Sequence, residues 1–430
     1  MISLIAALLL SVQTFPPKLP DGKEVVTDTS DDFLRPGATL KSGVAIARAA
    51  PTIDFMYFPG QDYAGKPWSN WGDSIAVGGK YYASIGDHLS PAGDAFVFEY
   101  DPSGKTLKKL ASVKKLLNLP EGHYVPGKIH GRLDQGDDGW IYFSTHRGGT
   151  KVTTEQYHYK GDWILRTNPS SGASEIVACG PVAKHCIPCS VLDPKRMIFY
   201  GGTAPGSAAD GVINFFAYDC KAGKVLYSGP DGPARYMILA KTTGRVYWTP
   251  GKEDMVGELV RWDPAVGGAP VKIEASLGLR TATQETSQGI VYTVSKARKG
   301  DSAALYAFDT KTEKVEELGE AAVGSMNYIT SLDVDPSGRY LYYIPGAHGG
   351  AERDGTPVVQ FDVKTKQRKV IAFLMPFYRE KYGCTPVGTF SSAIDEKGET
   401  LYVTWNVNRA GKAWDCVALT AIHLPASERP

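Results

Sequence analysis

The chain has 430 residues, and its 47 Lys and Arg residues against 46 Asp and Glu residues give a formal net charge of +1. No block of five or six like charges occurs, so the composition gives no reason to expect binding to nucleic acid or to an anionic membrane. The 47 Gly, 28 Pro and 23 Tyr residues, in a chain that is 43% apolar, are typical of a globular protein rich in turns and strands.

The N-terminal sequence MISLIAALLLSVQTFPP contains an uninterrupted apolar run from Ile2 to Leu10. The run is about as long as a signal-peptide core and too short to span a bilayer, although no Lys or Arg precedes it. We expect residues 1–14 to be a signal peptide, residues 15–51 to be an N-terminal extension, and the protein to be secreted or periplasmic. A buried first strand is the alternative. No later segment approaches ~18 consecutive apolar residues, so we expect a soluble mature protein, acting as a monomer.

Seven strong β-type segments recur along the chain, each with an aromatic residue at the same step. Their aligned aromatic residues are spaced by 45 to 60 positions, a period close to that of four-stranded propeller blades. These residues are Tyr82, Tyr142, Phe199, Tyr247, Tyr292, Tyr342 and Tyr402. In six repeats a later strand ends in a turn such as YDPSGK or TNPSSG, where Asp or Asn and Gly favour a reversal. The predicted fold class is therefore all-β, a seven-bladed β-propeller over residues 52–430.

The seventh repeat is incomplete, because only six residues follow CVALTAIHL at 416–424. The segment TIDFMYFP, from Thr52 to Pro59, has the pattern of a strand but precedes the first repeat and has no blade of its own. We predict that this strand completes the seventh blade and closes the ring, so that no open edge is exposed. The segment VKKLLNL, between the first two repeats, is a candidate short helix.

The segment KIHGRLDQGDDGWIYFSTHRGG places His130 at the start of the second blade and His146 and Arg147 where its second strand ends. In an up-and-down blade these two points lie on one face of the ring, and counting from the turn puts positions 130 and 146 nearly opposite on adjacent strands. The same reasoning brings further polar residues to this mouth: His88, His185, Arg235, Tyr236, Lys252, Arg280, Tyr328 and His348. A single His at a strand end is more often structural, but convergence from several blades indicates a binding site.

Six cysteines in an exported chain predict disulfides. Cys384 and Cys416 both fall in the seventh repeat and are expected to pair. At least one more pair is expected among the remaining four, for which three connectivities are open. Cys179, His185, Cys186 and Cys189 could instead hold a zinc ion, but C-x-x-C alone is a weak signal and oxidation to disulfides competes with metal binding. No other cofactor is expected.

The predicted mouth is rich in His, Arg and Tyr and poor in carboxylates, which argues against glycoside hydrolysis by an Asp/Glu pair. The same residue types suit β-elimination from a uronic-acid sugar. Removal of the proton beside the sugar carboxylate builds negative charge there, which Arg stabilises. A neutral His, or a Tyr whose pKa is lowered by nearby cations, can take that proton, and a His or Tyr can return one to the leaving oxygen.

The segment GKIHGRLDQGDDGWIYFSTHRGG, followed by a His at the start of the third blade and by GPARYMIL, resembles the seven-bladed propeller polysaccharide lyases, the ulvan lyases in particular. The repeat pattern covers most of the chain, and the specific motifs lie in blades two to four. The resemblance implies that His130 and His146 are a catalytic pair and that Arg235 and Tyr236 are the Arg/Tyr component. The other residues of the mouth are expected to bind substrate: Arg147, His185, Lys252, Arg280, Tyr328 and His348.

The related oligogalacturonate lyases hold a metal with an H-x-H element. No such element flanks the predicted channel, since the HYH segment at His158 lies in an insertion, and we expect no catalytic metal. The expected function is therefore cleavage of a uronic-acid polysaccharide, sulfated or not, by β-elimination. The alternative is a non-catalytic exported propeller that binds an acidic glycan or a protein through the same mouth.

Overall fold

The computed structural model describes residues 15–62, 68–87, 93–207, 211–251, 256–296, 302–409 and 416–429. Within these residues, thirty strands form seven sheets, and each sheet corresponds to one predicted repeat. The chain is an all-β, seven-bladed β-propeller, as the spacing of aromatic residues predicts. No helix in the described part of the chain has the length and apolar character that a membrane crossing requires.

The first four blades each contain four antiparallel strands in chain order. Blade one consists of β4 (Ile75–Val77), β5 (Lys80–Gly86), β6 (Ala95–Asp101) and β7 (Thr106–Ser112). Blade two consists of β8 (Asp134–Gln135), β9 (Ile141–Ser144), β10 (Trp163–Thr167) and β11 (Ser174–Cys179). Blade three consists of β12 (His185–Asp193), β13 (Ile198–Pro205), β14 (Asn214–Asp219) and β15 (Lys224–Pro230). Blade four consists of β16 (Ile238–Ala240), β17 (Arg245–Trp248), β18 (Val256–Trp262) and β19 (Val271–Gly278).

The remaining blades differ in how the N-terminal segment adds to them. Blade five consists of β20 (Thr281–Ala282), β21 (Ile290–Val294), β22 (Ala304–Asp309) and β23 (Val315–Glu320). Blade six consists of β24 (Leu332–Val334), β25 (Tyr340–Tyr343), β26 (Pro357–Asp362) and β27 (Gln367–Phe373), and β2 (Ala45–Ile46) runs parallel to β27. Blade seven contains β28 (Thr385–Ile394), β29 (Thr400–Asn408) and β30 (Cys416–His423), followed by β3 (Thr52–Tyr57) and β1 (Val26–Thr29).

The ring is closed by the strand that precedes the first repeat, which confirms the prediction from the incomplete seventh repeat. Strand β3 pairs antiparallel with β30, with Thr52 opposite His423 and Tyr57 opposite Ala418. Strand β1 then pairs with the outer side of β3. The two ends of the chain therefore share one sheet, and the edge of β30 is covered.

The seven aligned aromatic residues all lie in the second strand of a blade, and none is more than 6% exposed. They belong to apolar clusters that extend from one blade to the next, so packing between blades buries them. Burial of such aromatic side chains is a main source of stability in a ring of sheets.

Helical segments are short. The candidate helix between the first two blades is present as α1 (Val113–Leu117), and a second helix that the sequence did not predict, α2 (Phe377–Tyr382), connects β27 to β28. Six 3₁₀ segments complete the described elements: Pro20–Gly22, Asp31–Leu34, Thr150–Val152, Glu155–Tyr157, Ala351–Asp354 and Ala426–Glu428.

The structure does not contain the expected disulfides. All six cysteines lie within the described residues, and their pairing stays a prediction. Cys384 precedes β28 and Cys416 begins β30, and β29 lies between these two strands in the sheet. Proximity in the sequence repeat therefore does not make the two residues direct neighbours across a strand pair.

Candidate active site

One mouth of the ring contains a cavity of about 350 Å³, here called the cationic pocket. All seven blades contribute to its lining, and its charged, histidine and aromatic side chains are those of Trp71, Lys128, His130, His146, Arg147, Arg235, Arg280, Tyr328, His348 and Phe390. Four of these residues are Lys or Arg, whereas no Asp or Glu lines the pocket in the described part of the chain. A pocket of this composition favours an anionic ligand.

The structure brings together seven of the residues that the sequence predicts at this mouth: His130, His146, Arg147, Arg235, Arg280, Tyr328 and His348. Two further predicted residues, His88 and Lys252, lie outside the described residues. The last two, His185 and Tyr236, do not line the pocket, and their positions are described below.

Blade two holds the histidine pair. The ring centroids of His130 and His146 are 5.2 Å apart at an angle of 69°. The residue directly opposite His146 is Lys128, however, and the expected pairing of positions 130 and 146 is wrong by two residues. The chain leaves the strand ladder between this bridge and β8, and in this stretch Gly131 packs so closely on blade three that an added Cβ would overlap Ser190 Oγ.

Both histidines are held neutral. Burial, followed by the charges of Arg235 and Lys128, lowers the pKa of His130 well below its usual 6.5. Burial, followed by His130 and the cations Lys128 and Arg147, lowers the pKa of His146 in the same way. Burial and the nearby cations both disfavour the charged imidazolium form, so each ring is neutral in the protein without substrate.

The hydrogen bonds of the pair define which nitrogen atoms can act. His130 Nδ1 donates to the carbonyl oxygen of Pro188 at 2.8 Å, so in the neutral ring Nε2 carries the free lone pair. His146 Nδ1 is buried and has no hydrogen-bond partner among the described residues. His130 Nε2 is therefore the nitrogen of the pair suited to accept a proton.

Trp71 lies against several of these groups and was not identified from the sequence. Lys128 Nζ lies 4.1 Å from the centre of its ring. The rings of His130, His348 and Phe390 lie 6.1, 5.8 and 5.0 Å away. A single aromatic side chain from blade one thus packs against groups from blades two, six and seven.

Lys128 is the second residue that the sequence analysis missed. Burial, followed by Arg147 and Arg235, lowers its pKa to about 8. It stands two positions before His130 in the same GKIHG segment, and only the correct register across blade two could have identified it as the partner of His146.

Blades five and six supply a second hydrogen-bonded group. Arg280 Nε donates to Tyr328 Oη at 2.8 Å. The Tyr328 ring stacks on His348 with centroids 5.1 Å apart. Partial burial, followed by Arg280 and Arg235, lowers the pKa of His348 to about 4, although this residue lies nearer the rim than the histidine pair. Arg280 thus orients a phenol at the cationic pocket.

Tyr236 does not line the cationic pocket itself, although Arg235, which precedes it, does. Its hydroxyl donates to Asp73 Oδ2 at 3.1 Å. Tyr236 and Asp73 line a cavity of about 290 Å³ that is bordered by the first turns of blades five, six and seven. They also line a small cavity inside the ring, to which His130, Arg235 and Arg280 contribute as well.

His185 is also absent from the pocket lining. It is 4% exposed, and its Nδ1 lies 2.9 Å from Thr203 Oγ1 on the neighbouring strand β13. Its position at the start of β12 matches the prediction, but its side chain contacts the interior of blade three.

The four residues of the candidate zinc site do not assemble. Cys186 is buried and accepts hydrogen bonds from Tyr159 Oη and Arg147 Nη1, whereas Cys179 is exposed at the end of β11. Across the described residues, no group of three or more His, Cys, Asp or Glu side chains could hold a metal ion. The donor set of a metal site is therefore not present in that part of the chain.

No protein-family model matches this sequence, and no curated protein matches it. Solved structures do match the fold. An oligogalacturonate lyase in complex with manganese aligns with a TM-score of 0.57 over 94% of this chain and 98% of its own, at 12% identity. An oligogalacturonate lyase from Vibrio parahaemolyticus aligns with a TM-score of 0.56 over 95% of this chain and 99% of its own, at 9% identity.

A chain of a mitotic checkpoint complex aligns almost as well, with a TM-score of 0.53 over 97% of this chain and 99% of its own, at 12% identity. Matches at identities this low establish the architecture and not the activity, because one fold supports many activities. The chain is a seven-bladed β-propeller that resembles oligogalacturonate lyase structures at low sequence identity.

Proposed function

We propose that this protein is a polysaccharide lyase that cleaves a uronic-acid-containing polysaccharide, sulfated or not, by metal-independent β-elimination in the cationic pocket. One observation carries the proposal: two neutral histidines lie in a cavity lined by four cationic side chains and, among the described residues, by no carboxylate. This arrangement combines proton acceptors with a positive field.

The chemistry of elimination uses both features. The proton at C5 of a uronate is made more acidic when the adjacent carboxylate is neutralised, which guanidinium groups such as Arg235 and Arg280 do by charge-assisted hydrogen bonds. The Nε2 atom of His130, beside the neutral ring of His146, is then the base that takes this proton. Hydrolysis needs a pair of carboxyl groups, which the described lining lacks.

Tyr328, rather than Tyr236, is the tyrosine of the proposed site. Tyr328 lines the cationic pocket and its hydroxyl accepts a hydrogen bond from Arg280, whereas Tyr236 does not line that pocket and its hydroxyl donates to Asp73. We assign Tyr328 to substrate binding and to orientation of the carboxylate, together with Arg280. The proposal thus keeps the histidine pair and Arg235 and moves the Tyr component to a different blade.

Two kinds of support come from outside the pocket. The motifs around the histidine pair resemble ulvan lyases, and two structures with the same fold are oligogalacturonate lyases. The apolar N-terminal run supports a signal peptide and a secreted or periplasmic location.

The test is a screen of purified uronic-acid polysaccharides, ulvan and polygalacturonate among them, with and without EDTA. Elimination produces an unsaturated sugar, which is detected by its ultraviolet absorbance. We expect absorbance to rise on at least one polymer, to persist in EDTA, and to be absent on the same polymer after its carboxyl groups have been reduced to alcohols. Binding of the polymers without cleavage would favour the alternative, a non-catalytic propeller that binds an acidic glycan.

A further inference from the structure

The cationic pocket contains an ammonium group close to both histidines. Lys128 lines the same cavity as His130 and His146, and its backbone is bridged to that of His146. Its Nζ rests on the face of Trp71. No carboxylate lines the described part of the pocket, so the ammonium is not neutralised there by an ion pair.

β-Elimination needs two proton transfers, and the histidines satisfy only one of them. A base must take the proton from C5, and an acid must give a proton to the glycosidic oxygen that leaves C4. His130 and His146 are held neutral by burial and by the surrounding cations. A neutral imidazole is a good acceptor and a very weak donor, so the proton for the leaving oxygen has to come from another group.

We propose that Lys128 is the general acid of this elimination and donates an Nζ proton to the leaving glycosidic oxygen. The inference rests on the proposed function. The imidazole takes the C5 proton, and the electrons of that C–H bond form the C4=C5 double bond. The C4–O bond breaks with its electron pair on oxygen, which takes the proton from Lys128. The histidine ends as imidazolium and Lys128 as a neutral amine, and a proton passes from one to the other before the next turnover.

The surroundings of Lys128 suit an acid. The guanidinium groups of Arg147 and Arg235 face it, and together with burial they lower its pKa to about 8, while the Cys186 thiol acts weakly in the opposite direction. The other titratable neighbours, His130, His146 and His348, are neutral. An ordinary lysine, with a pKa of about 10.4, holds its proton more tightly, and an acid is most effective when its pKa lies near the working pH.

The experiment varies the leaving group. On the active polymer, Lys128→Arg keeps the positive charge but replaces the ammonium with a much weaker acid, and we expect it to lower kcat by about 10²- to 10⁴-fold with little change in KM. A uronate with a nitrophenoxy group at C4 releases nitrophenolate, which leaves without being protonated. Lys128→Arg should therefore cleave this substrate at a rate near that of the wild type. Lys128→Met is the second variant, and Lys108→Arg, on the exposed side of β7, is the matched control.

The outcomes separate the two proposals. Equal losses on the polymer and on the nitrophenolate substrate would mean that Lys128 contributes only charge or structure, and wild-type turnover of Lys128→Arg on the polymer would mean that it donates no proton; either result overturns the acid role. A wild-type protein that cleaves neither substrate overturns the proposed function itself. If Lys128 is the acid, the wild-type rate also falls above about pH 8, where Lys128 loses its proton. The rate of Lys128→Arg should not fall in this pH range.

Discussion

Lys128 and His146 lie directly opposite each other at one end of blade two, and the amide of each donates to the carbonyl of the other, at 3.1 and 2.9 Å. Side chains of a directly opposed pair project from the same face of a ladder. A single backbone bridge therefore presents an ammonium and an imidazole to the cationic pocket, and His130 is added from the irregular segment that follows Lys128.

Loss of His146 should remove turnover without unfolding the protein. We expect His146→Ala to lower kcat on the active polymer by about 10²- to 10⁴-fold, because a proton acceptor is lost. The His130→Ala/His146→Ala double variant should be little slower than the more damaged single variant if the pair acts as one unit. Circular dichroism and melting temperature check that the variants are folded.

The two tyrosines can be compared directly. Tyr328→Phe should weaken the site, since Arg280 loses its hydroxyl partner and the pocket loses a hydrogen-bonding group. Tyr236→Phe removes a hydroxyl that donates to Asp73 and does not line the cationic pocket. Steady-state kinetics on the active polymer should therefore show a larger loss of kcat/KM for Tyr328→Phe. A larger loss of kcat/KM for Tyr236→Phe would instead assign Tyr236 to the proposed site.

Arg280 should act mainly in substrate binding. Arg280→Ala removes a cation from the pocket lining and is expected to raise KM with a smaller effect on kcat, as for uniform binding of substrate and transition state. Arg35→Ala is the control for loss of an arginine, because Arg35 has a side chain that is 79% exposed and lies in the N-terminal segment. A fall in kcat with KM unchanged would place Arg280 in the chemical step instead.

The neutral histidines should make stability depend on pH. The folded-state pKa values of His130 and His146 are lowered below 6.5, so the unfolded chain binds more protons than the folded chain below that pH. Stability should therefore fall as the pH drops below about 6.5, by up to about 1.4 kcal/mol per pH unit for each group. Urea unfolding across this range should give a shallower slope for His130→Gln/His146→Gln. An unchanged slope would mean that the rings are not held neutral.

Ring closure by β3 should contribute to stability. A chain that begins at residue 60 lacks β1 and β3 and exposes the edge of β30, so it should melt below a chain that begins at residue 15. Thermal unfolding of the two proteins measures the difference. If both melt alike, blade seven does not depend on this strand.

The ring could be predicted from the sequence because its signals are periodic. Tyr142 and Tyr247, for example, occupy the same strand of different blades and are buried for the same reason. The closing strand could be predicted because the Thr52–Pro59 segment had no blade and the last blade lacked a strand. These inferences need only the number and order of strands.

The detail of the pocket depends on register and side-chain direction, which periodicity does not determine. Lys128 was missed because the chain leaves the ladder between Lys128 and β8, which shifts the pairing by two residues. Tyr236 borders an inner cavity with Arg235 and His130 but not the cationic pocket itself, a distinction that the sequence pattern does not make. The pairing of Cys384 with Cys416, expected from their shared repeat, stays a prediction, because the order of strands does not determine how close the two side chains lie.

The most direct test of the central claim is the rate at which ultraviolet absorbance develops when the wild-type protein and the folded His130→Ala/His146→Ala variant act on the active uronic-acid polymer. β-Elimination at the cationic pocket predicts unsaturated product from the wild type and a rate about 10²-fold or more lower from the variant. Wild-type turnover by the folded double variant, or no unsaturated product from any uronic-acid polymer, would contradict the proposed site and activity.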